Sequence, residues 1–181
     1  MNLIFNNQFS IFEDIFYKYL TPKQCTKLYT SNIILYNIYV DNNKFESNYF
    51  TPKTGAELRE AVNLWCDNRD KAILLYRDIE YWNTIYITSM NLLFWNKVNF
   101  NDNISDWNTS NVNTMKYTFC NAYLFNQPIG NWDISNVINM MYMFCGARNF
   151  NQSIYHWNIY DISNTKNMFK DCNTNIDNII I

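Results

Sequence analysis

The stretch "FNQPIGNWDISNVINMMYMFCGARNFNQSIYHWN", residues 125–158, begins and nearly ends on the same pattern, Phe-Asn-Gln-x-Ile-x-x-Trp. Its two tryptophans lie 25 residues apart, and the same step extends back along the chain. Four columns of apolar residues keep this step: Trp82, Trp107, Trp132 and Trp157; Ile79, Ile104, Ile129 and Ile154; Ile87, Val112, Val137 and Ile162; and Phe94, Phe119, Phe144 and Phe169. Self-similarity at a fixed period is the signature of a repeat architecture.

A repeat of this length is too short to bury its own apolar side chains. Neighbouring units must therefore pack on one another to form a continuous core. We expect the fixed apolar positions to point inward, where each buried side chain contributes roughly 1.5–3 kcal/mol. The residues Asn101, Asn126 and Asn151 recur at one position of the period, and Asn favours turns because its side chain bonds to nearby backbone.

The template Ile-x-x-Trp-x(4)-Val-x-x-Met-x(3)-Phe-x-x-Ala-x-x-Phe-Asn-Gln resembles the BspA-like leucine-rich-repeat surface proteins of the mycoplasma-lipoprotein type, over about residues 55–172. The resemblance implies an α/β-type repeat solenoid, a leucine-rich-repeat-like right-handed stack of about four coils. Each coil would hold a short strand and a short helical or turn segment, and either "Asn-Val-x-x-Met" or "Asn-Gln-x-Ile" could be the strand. The template is broken at Lys97, Thr165 and Asn175, in the terminal units. Such arrays are mostly binding surfaces.

The region before the repeats, residues 1–50, is predicted to be helical. A capping box at Ser10 to Glu13 begins an apolar helix face, and Thr21-Pro22 signals a second helix start. Residues 8–43 resemble an F-box, which would dock a ubiquitin-ligase subunit, although the Leu-Pro opening of that motif is missing. The candidate docking residues are Ile11, Phe12, Ile15, Phe16, Tyr19 and Leu20. The alternative is that these helices only cap the first repeat.

Three further segments complete the predicted organisation. Residues 51–78 are expected to form capping helices, because Thr54 to Glu57 is another capping box. The apolar face of the first of these helices comprises Leu58, Ala61, Val62 and Trp65. Residues 79–172 form the predicted solenoid, and residues 173–181 form a tail.

Catalysis, cofactor binding and metal binding are not expected. The chain has one histidine, His156, and its three glycines are too widely spaced to build a phosphate loop. Cys120 and Cys145 are one repeat apart and are interpreted as a column of reduced thiols, in preference to a metal or disulfide site. The solenoid residues expected to face outward and contact a partner are Asp106, Asn131, His156, Asn136 and Asp161.

The composition bounds the remaining function classes. A net charge of −2 in 181 residues argues against nucleic-acid binding. No apolar run reaches the roughly 18 residues of a membrane span, and the N-terminus lacks a signal-peptide pattern, which predicts an intracellular protein. We expect a non-enzymatic protein-protein interaction protein, such as an F-box-like adaptor that presents a client to a ubiquitin ligase. The alternatives are a structural or virion-associated protein of a large DNA virus and, ranked lower, a surface adhesin.

Overall fold

The computed structural model describes residues 49–172. The F-box-like residues and the tail therefore lie outside the described part of the chain. Two α-helices precede the repeats: α1 spans Gly55–Asp67 and α2 spans Arg69–Tyr76. Two short 3-10 turns follow, at Ile79–Tyr81 and Ile159–Asp161.

Helix α1 begins where the sequence predicts. The side chain of Thr54 accepts a hydrogen bond from the backbone N–H of Glu57, which satisfies one of the free donors at the helix start. The predicted face of α1 is buried against the repeats. The side chain of Asn68 caps α2 in the same way, by accepting from the N–H of Lys71. The two helices cover the N-terminal end of the repeat core.

The prediction of an α/β-type, leucine-rich-repeat-like solenoid is wrong. Residues 49–172 contain no β-strand and no sheet, and no α-helix is found there after Tyr76. Parallel pairing is reduced to isolated bridges, from Ser89 to Thr114, from Thr114 to Asn139 and from Asn139 to Asn164. The repeat units consist almost entirely of turns.

The physical reason for this difference is the backbone conformation of the second part of each unit. Two positions per unit have φ between 55° and 69°, and the residues at these positions are Leu92, Tyr117, Tyr142 and Asn167, and Asn96, Asn121, Gly146 and Asp171. A left-handed residue turns the chain and interrupts an extended strand. Such a residue costs roughly 1–2 kcal/mol when it is not glycine. The left-handed residues therefore prevent the second half of each unit from continuing as an extended strand.

Consecutive units are held in register by backbone hydrogen bonds, which we call the inter-unit ladder. At each junction, four N–H groups of one unit donate to carbonyls 24 residues further along the chain. At the middle junction, Met115, Tyr117, Phe119 and Asn121 donate to Asn139, Met141, Met143 and Cys145, at 2.8–3.0 Å. The corresponding donors of the preceding unit are Met90, Leu92, Phe94 and Asn96, and those of the following unit are Met140, Tyr142, Phe144 and Gly146.

The ladder aligns the apolar columns, which are buried as predicted except at Ile162 and Phe169 in the last unit, where the side chains are only partly buried. The rings of Phe94, Phe119 and Phe144 lie parallel, with centroids 5.2 and 5.6 Å apart. The tryptophans Trp82, Trp107, Trp132 and Trp157 are all at most 4% exposed. The indole N–H groups of Trp107 and Trp132 donate to the carbonyls of Ile79 and Ile104 in the preceding unit. These bonds satisfy polar atoms that the core would otherwise leave unpaired.

The substitution Phe119→Ala tests whether this core holds the units together. Phe119 contacts the rings of Phe94, Phe125 and Phe144 and is fully buried, so its truncation opens a cavity at the middle of the array. We expect a loss of about 3–5 kcal/mol in the free energy of unfolding, measured by urea denaturation. Leu124→Ala, at an exposed position of the same unit, is the control and should cost less than about 1 kcal/mol. Equal losses for the two variants would contradict this packing.

Candidate functional site

Each repeat unit has two halves that enclose the core. The first halves are residues 78–89, 101–114, 126–139 and 151–164, and the second halves are residues 90–100, 115–125, 140–150 and 165–172. A tryptophan from a first half packs against a phenylalanine from a second half, as in the pair of Phe119 and Trp132 with ring centroids 6.0 Å apart. Because the two halves share this core, their outward side chains form two different surfaces.

The surface of the second halves carries the basic side chains of the repeats. Within these halves the cations are Lys97, Lys116, Arg148, Lys166 and Lys170, and the only acidic residue is Asp171. Lys97 is used internally, because its Nζ lies 3.3 Å from the Oδ1 of Asp67. We call the surface formed by the other four cations the cationic face. It also includes the outward apolar and aromatic residues Leu92, Trp95, Val98, Tyr117, Leu124 and Tyr142.

Rings and cations on the cationic face are ordered by contacts between and within units. Tyr117 and Tyr142 stack with centroids 4.9 Å apart, because the ladder places them at equivalent positions. The ammonium of Lys116 lies 5.3 Å from the centroid of the Tyr117 ring, and the guanidinium of Arg148 lies 4.7 Å from that of Tyr123. Each such cation–π contact is worth roughly 0.5–1 kcal/mol at an exposed site. These side chains are therefore partly positioned before any partner binds.

The surface of the first halves has the opposite charge. Those halves contain no lysine or arginine, and their acidic residues are Asp78, Glu80, Asp102, Asp106, Asp133 and Asp161. Asp102 is used internally, because its carboxylate accepts hydrogen bonds from Arg69 and from the indole N–H of Trp65. We call the surface that carries Asp78, Glu80, Asp106 and Asp133 the anionic face.

The carboxylate of Asp133 is held ionised by its neighbour. Hydrogen bonds from the side chain and the backbone N–H of Ser135 lower the pKa of Asp133. Burial has the opposite effect on Asp78, whose pKa it raises. Asp133 therefore keeps its charge to lower pH than an ordinary aspartate, and the anionic face stays negative near its centre.

The partner-binding residues predicted on the repeats lie in the first halves. Asp106, Asn131 and His156 are exposed and occupy one column, as expected for outward positions. The His156 ring also lies against the ring of Tyr155, with centroids 3.6 Å apart. Asn136 is exposed too, but its amide donates to the carbonyl of Ser110 at 2.7 Å and so links two units.

Other predicted contacts cannot be placed. The structure does not describe the side chain of Asp161, and the candidate docking residues Ile11, Phe12, Ile15, Phe16, Tyr19 and Leu20 lie outside the described residues. Sequence reasoning also missed the cationic face. The signal for it was available, because the cations of the repeats fall only in the second halves.

The Asn-Gln column, which lies at the start of the first halves, has a structural role. The side-chain oxygen of Asn101 accepts from the backbone N–H of Asn126, and that of Asn126 accepts from the N–H of Asn151. The amides of Gln127 and Gln152 add bonds to the same two oxygens. This column fixes the turn between a second half and the next first half, which keeps the two faces aligned from unit to unit.

Neither a metal site nor a membrane-spanning helix is found among the described residues. Among them, no group of three His, Cys, Asp or Glu side chains converges as metal ligands would. Within residues 49–172, no helix has both the length and the apolar character needed to cross a membrane.

Cys120 is buried, and its pKa is raised to about 11 by burial and by the neighbouring Cys145.

Comparison with known proteins identifies a family for most of this region. Residues 67–180 match the model of the family described as "Mycoplasma protein of unknown function, DUF285", which is related to BspA-like repeat surface proteins. This match confirms the coarser part of the resemblance and gives no support to the F-box prediction. No curated protein and no solved structure matches the chain.

Thiol labelling tests the placement of Cys120. With its pKa raised from 9.0 to about 11, the folded protein should hold about 100-fold less Cys120 thiolate at pH 8 than the unfolded chain. We expect iodoacetamide to label Cys120 at least that much more slowly in buffer than in urea, as measured by peptide mass spectrometry. The urea sample is the control for intrinsic reactivity. Equal labelling rates in buffer and urea would show that this thiol is not buried.

Proposed function

We propose that this chain, which belongs to the DUF285 family of Mycoplasma proteins, is a non-enzymatic interaction protein that binds another protein through the cationic face. The observation that carries the proposal is the separation of charge between the two halves of the repeats. Four cations, the exposed ring of Trp95 and the half-buried rings of Tyr117 and Tyr142 share one surface, while the acidic residues of the units lie almost entirely on the other.

The exposed apolar and aromatic side chains of the cationic face are of the kind found in protein interfaces. Trp95 is 49% exposed, and Leu92, Val98 and Leu124 are each at least 40% exposed beside the cations. Aromatic residues and arginine are enriched at interfaces, and truncation of Trp, Tyr or Arg there is often costly. Apolar side chains that stay in water next to ordered cations favour a partner with both apolar and acidic groups.

A protein partner accounts for these features better than nucleic acid does. The four cations of the face are fewer than the phosphate contacts of most nucleic-acid-binding proteins. The chain as a whole has 16 acidic residues against 14 basic residues, and the anionic face would repel a long polyanion. A short acidic segment can meet the cationic face without approaching the anionic one, and charge complementarity would then speed its association.

An adaptor function through the N-terminal region stays a prediction from the sequence. It would add a second docking site, formed by Ile11, Phe12, Ile15, Phe16, Tyr19 and Leu20, to the surface proposed here. Its test is a pull-down with the F-box-binding subunit of a ubiquitin ligase, and unchanged recovery with Ile15→Glu would count against it. The roles of virion-associated component and surface adhesin use the same repeat surface and do not change the proposal for the cationic face.

A defined acidic peptide tests the proposed function. The probe is a fluorescein-labelled 15-residue peptide that alternates Glu with Phe, titrated with the full chain at low salt and followed by fluorescence polarisation. We expect the double variant Lys116→Glu, Arg148→Glu to raise Kd at least about tenfold, because two attractive charges become repulsive. The matched control is Lys71→Glu, which changes an exposed charge on α2, outside the repeat units.

Two outcomes of this titration would overturn the proposal. One is equal binding of the peptide by the unmodified chain and the double variant. The other is stronger, equally salt-sensitive binding of a labelled single-stranded oligonucleotide of similar length, which would make nucleic acid the better ligand. Binding of the peptide that weakens as salt rises from 50 to 500 mM, with Lys71→Glu unchanged, supports it.

A further inference from the structure

We propose that the partner of the cationic face includes the anionic face of a second copy of this chain, so that copies associate head to tail. This inference rests on the proposed function and names one occupant of the same surface. It follows from three observations: the two faces repeat with the same spacing, they carry opposite charges, and both expose apolar side chains.

The two faces repeat with the same spacing, because they are built from the same units. Equivalent positions of consecutive units lie about as far apart as the phenylalanine rings, whose centroids are separated by 5.2, 5.6 and 5.6 Å along the series from Phe94 to Phe169. Lys116 and Lys166 are two units apart, and Asp106 and Asp133 are about one unit apart. Because both faces are built on this one spacing, two copies can shift along each other in whole-unit steps until opposite charges meet, although the charges do not occupy matching columns.

The charges of the faces are complementary. The cationic face presents Lys116, Arg148, Lys166 and Lys170, and the anionic face presents Asp78, Glu80, Asp106 and Asp133. Like charges along either face repel when that face is left alone, and they are neutralised when opposite faces meet. A contact between two cationic faces or two anionic faces would instead bring like charges together. The charge pattern thus selects the head-to-tail arrangement and disfavours the symmetric one.

Both faces also expose large apolar side chains. Those of the anionic face are Tyr81, Tyr86, Ile138, Tyr155 and Tyr160, and those of the cationic face are Leu92, Trp95, Val98 and Leu124. Tyr160 is 86% exposed and Ile138 is 62% exposed. Ion pairs at a surface contribute little alone, so the burial of these side chains would supply most of the driving force. The charges would then set the orientation.

When copies bind through two different faces, one cationic face and one anionic face stay free at the two ends of the assembly. Association should consequently increase with protein concentration and need not stop at a dimer. It should weaken at high salt, where exposed charges more than a few ångströms apart are screened. An acidic partner protein could still compete for the terminal cationic face, which keeps the inference compatible with the proposed function.

Complementary variants test this inference. One variant, Lys116→Glu with Arg148→Glu, disables the cationic face and keeps the anionic one. The other, Asp106→Lys with Asp133→Asn, disables the anionic face and keeps the cationic one, and Asn at 133 preserves the hydrogen-bond acceptor of that turn. Circular dichroism and urea denaturation establish that both variants fold like the unmodified chain. Lys71→Glu is again the control.

Sedimentation velocity at 10–200 µM protein and 50 mM salt gives the readout. We expect the mass of the unmodified chain to rise above 21.8 kDa with concentration and to fall back in 500 mM salt. Each variant alone should stay monomeric, and an equimolar mixture of the two should form a 1:1 complex. That heterodimer would be the clearest support, because the mixture restores one matched pair of faces.

Two results would overturn the inference. The unmodified chain could stay monomeric throughout, or the variants could associate as strongly as it does. If the unmodified chain is monomeric and still binds the acidic peptide through Lys116 and Arg148, the self-association inference fails while the proposed function stands. Loss of peptide binding in the anionic-face variant would instead show that the two faces are not independent, which also contradicts the head-to-tail arrangement.

Discussion

The structure depends on the hydrogen bonds that join each repeat unit to the next. The turns of a unit pair only part of its backbone internally, through bonds such as those from Trp107 to Ile104 and from Val112 to Thr109, and buried N–H and C=O groups are costly when unpaired. The inter-unit ladder pairs four donors at each junction with carbonyls of the following unit. Because the donors recur with the 25-residue period, the ladder fixes the register of all units at once. Every other feature of the repeats follows from that register.

Because the units are in register, residues that recur with the 25-residue period in the sequence become neighbours on one surface of the fold. The register places phenylalanines and tryptophans at equivalent positions next to one another, so that they fill the core, and it does the same for outward side chains. The stacked rings of Tyr117 and Tyr142 on the surface are the exposed counterpart of the stacked rings of Phe119 and Phe144 inside. A charge preference in one half of the unit, repeated along the chain, then becomes a charged face. The proposed binding role and the proposed self-association both depend on this conversion.

Sequence reasoning recovered the period, the buried columns and the start of α1, because each has a local or periodic signal. The repeated Trp and Phe positions identify the core, and Thr54 with Glu57 identifies a helix start. The backbone conformation was not recoverable in the same way. Leu92, Tyr117 and Tyr142 are residue types that normally avoid the left-handed region, and only the ladder and the core hold them there. Resemblance to leucine-rich repeats therefore suggested strands that residues 49–172 do not contain. At the candidate site, exposure of Asp106, Asn131 and His156 could be predicted from their variability, whereas the cationic face required knowing which residues share a surface.

Amide hydrogen exchange, followed residue by residue by NMR, tests the ladder most directly. If the units are joined as described, the ladder amides of Met115, Tyr117, Phe119 and Asn121 should be strongly protected. Their opening free energies should agree with those of the corresponding amides in the units before and after, because the junctions open together. Exchange of these amides at the rate of an unstructured peptide, or protection confined to α1 and α2, would contradict the account.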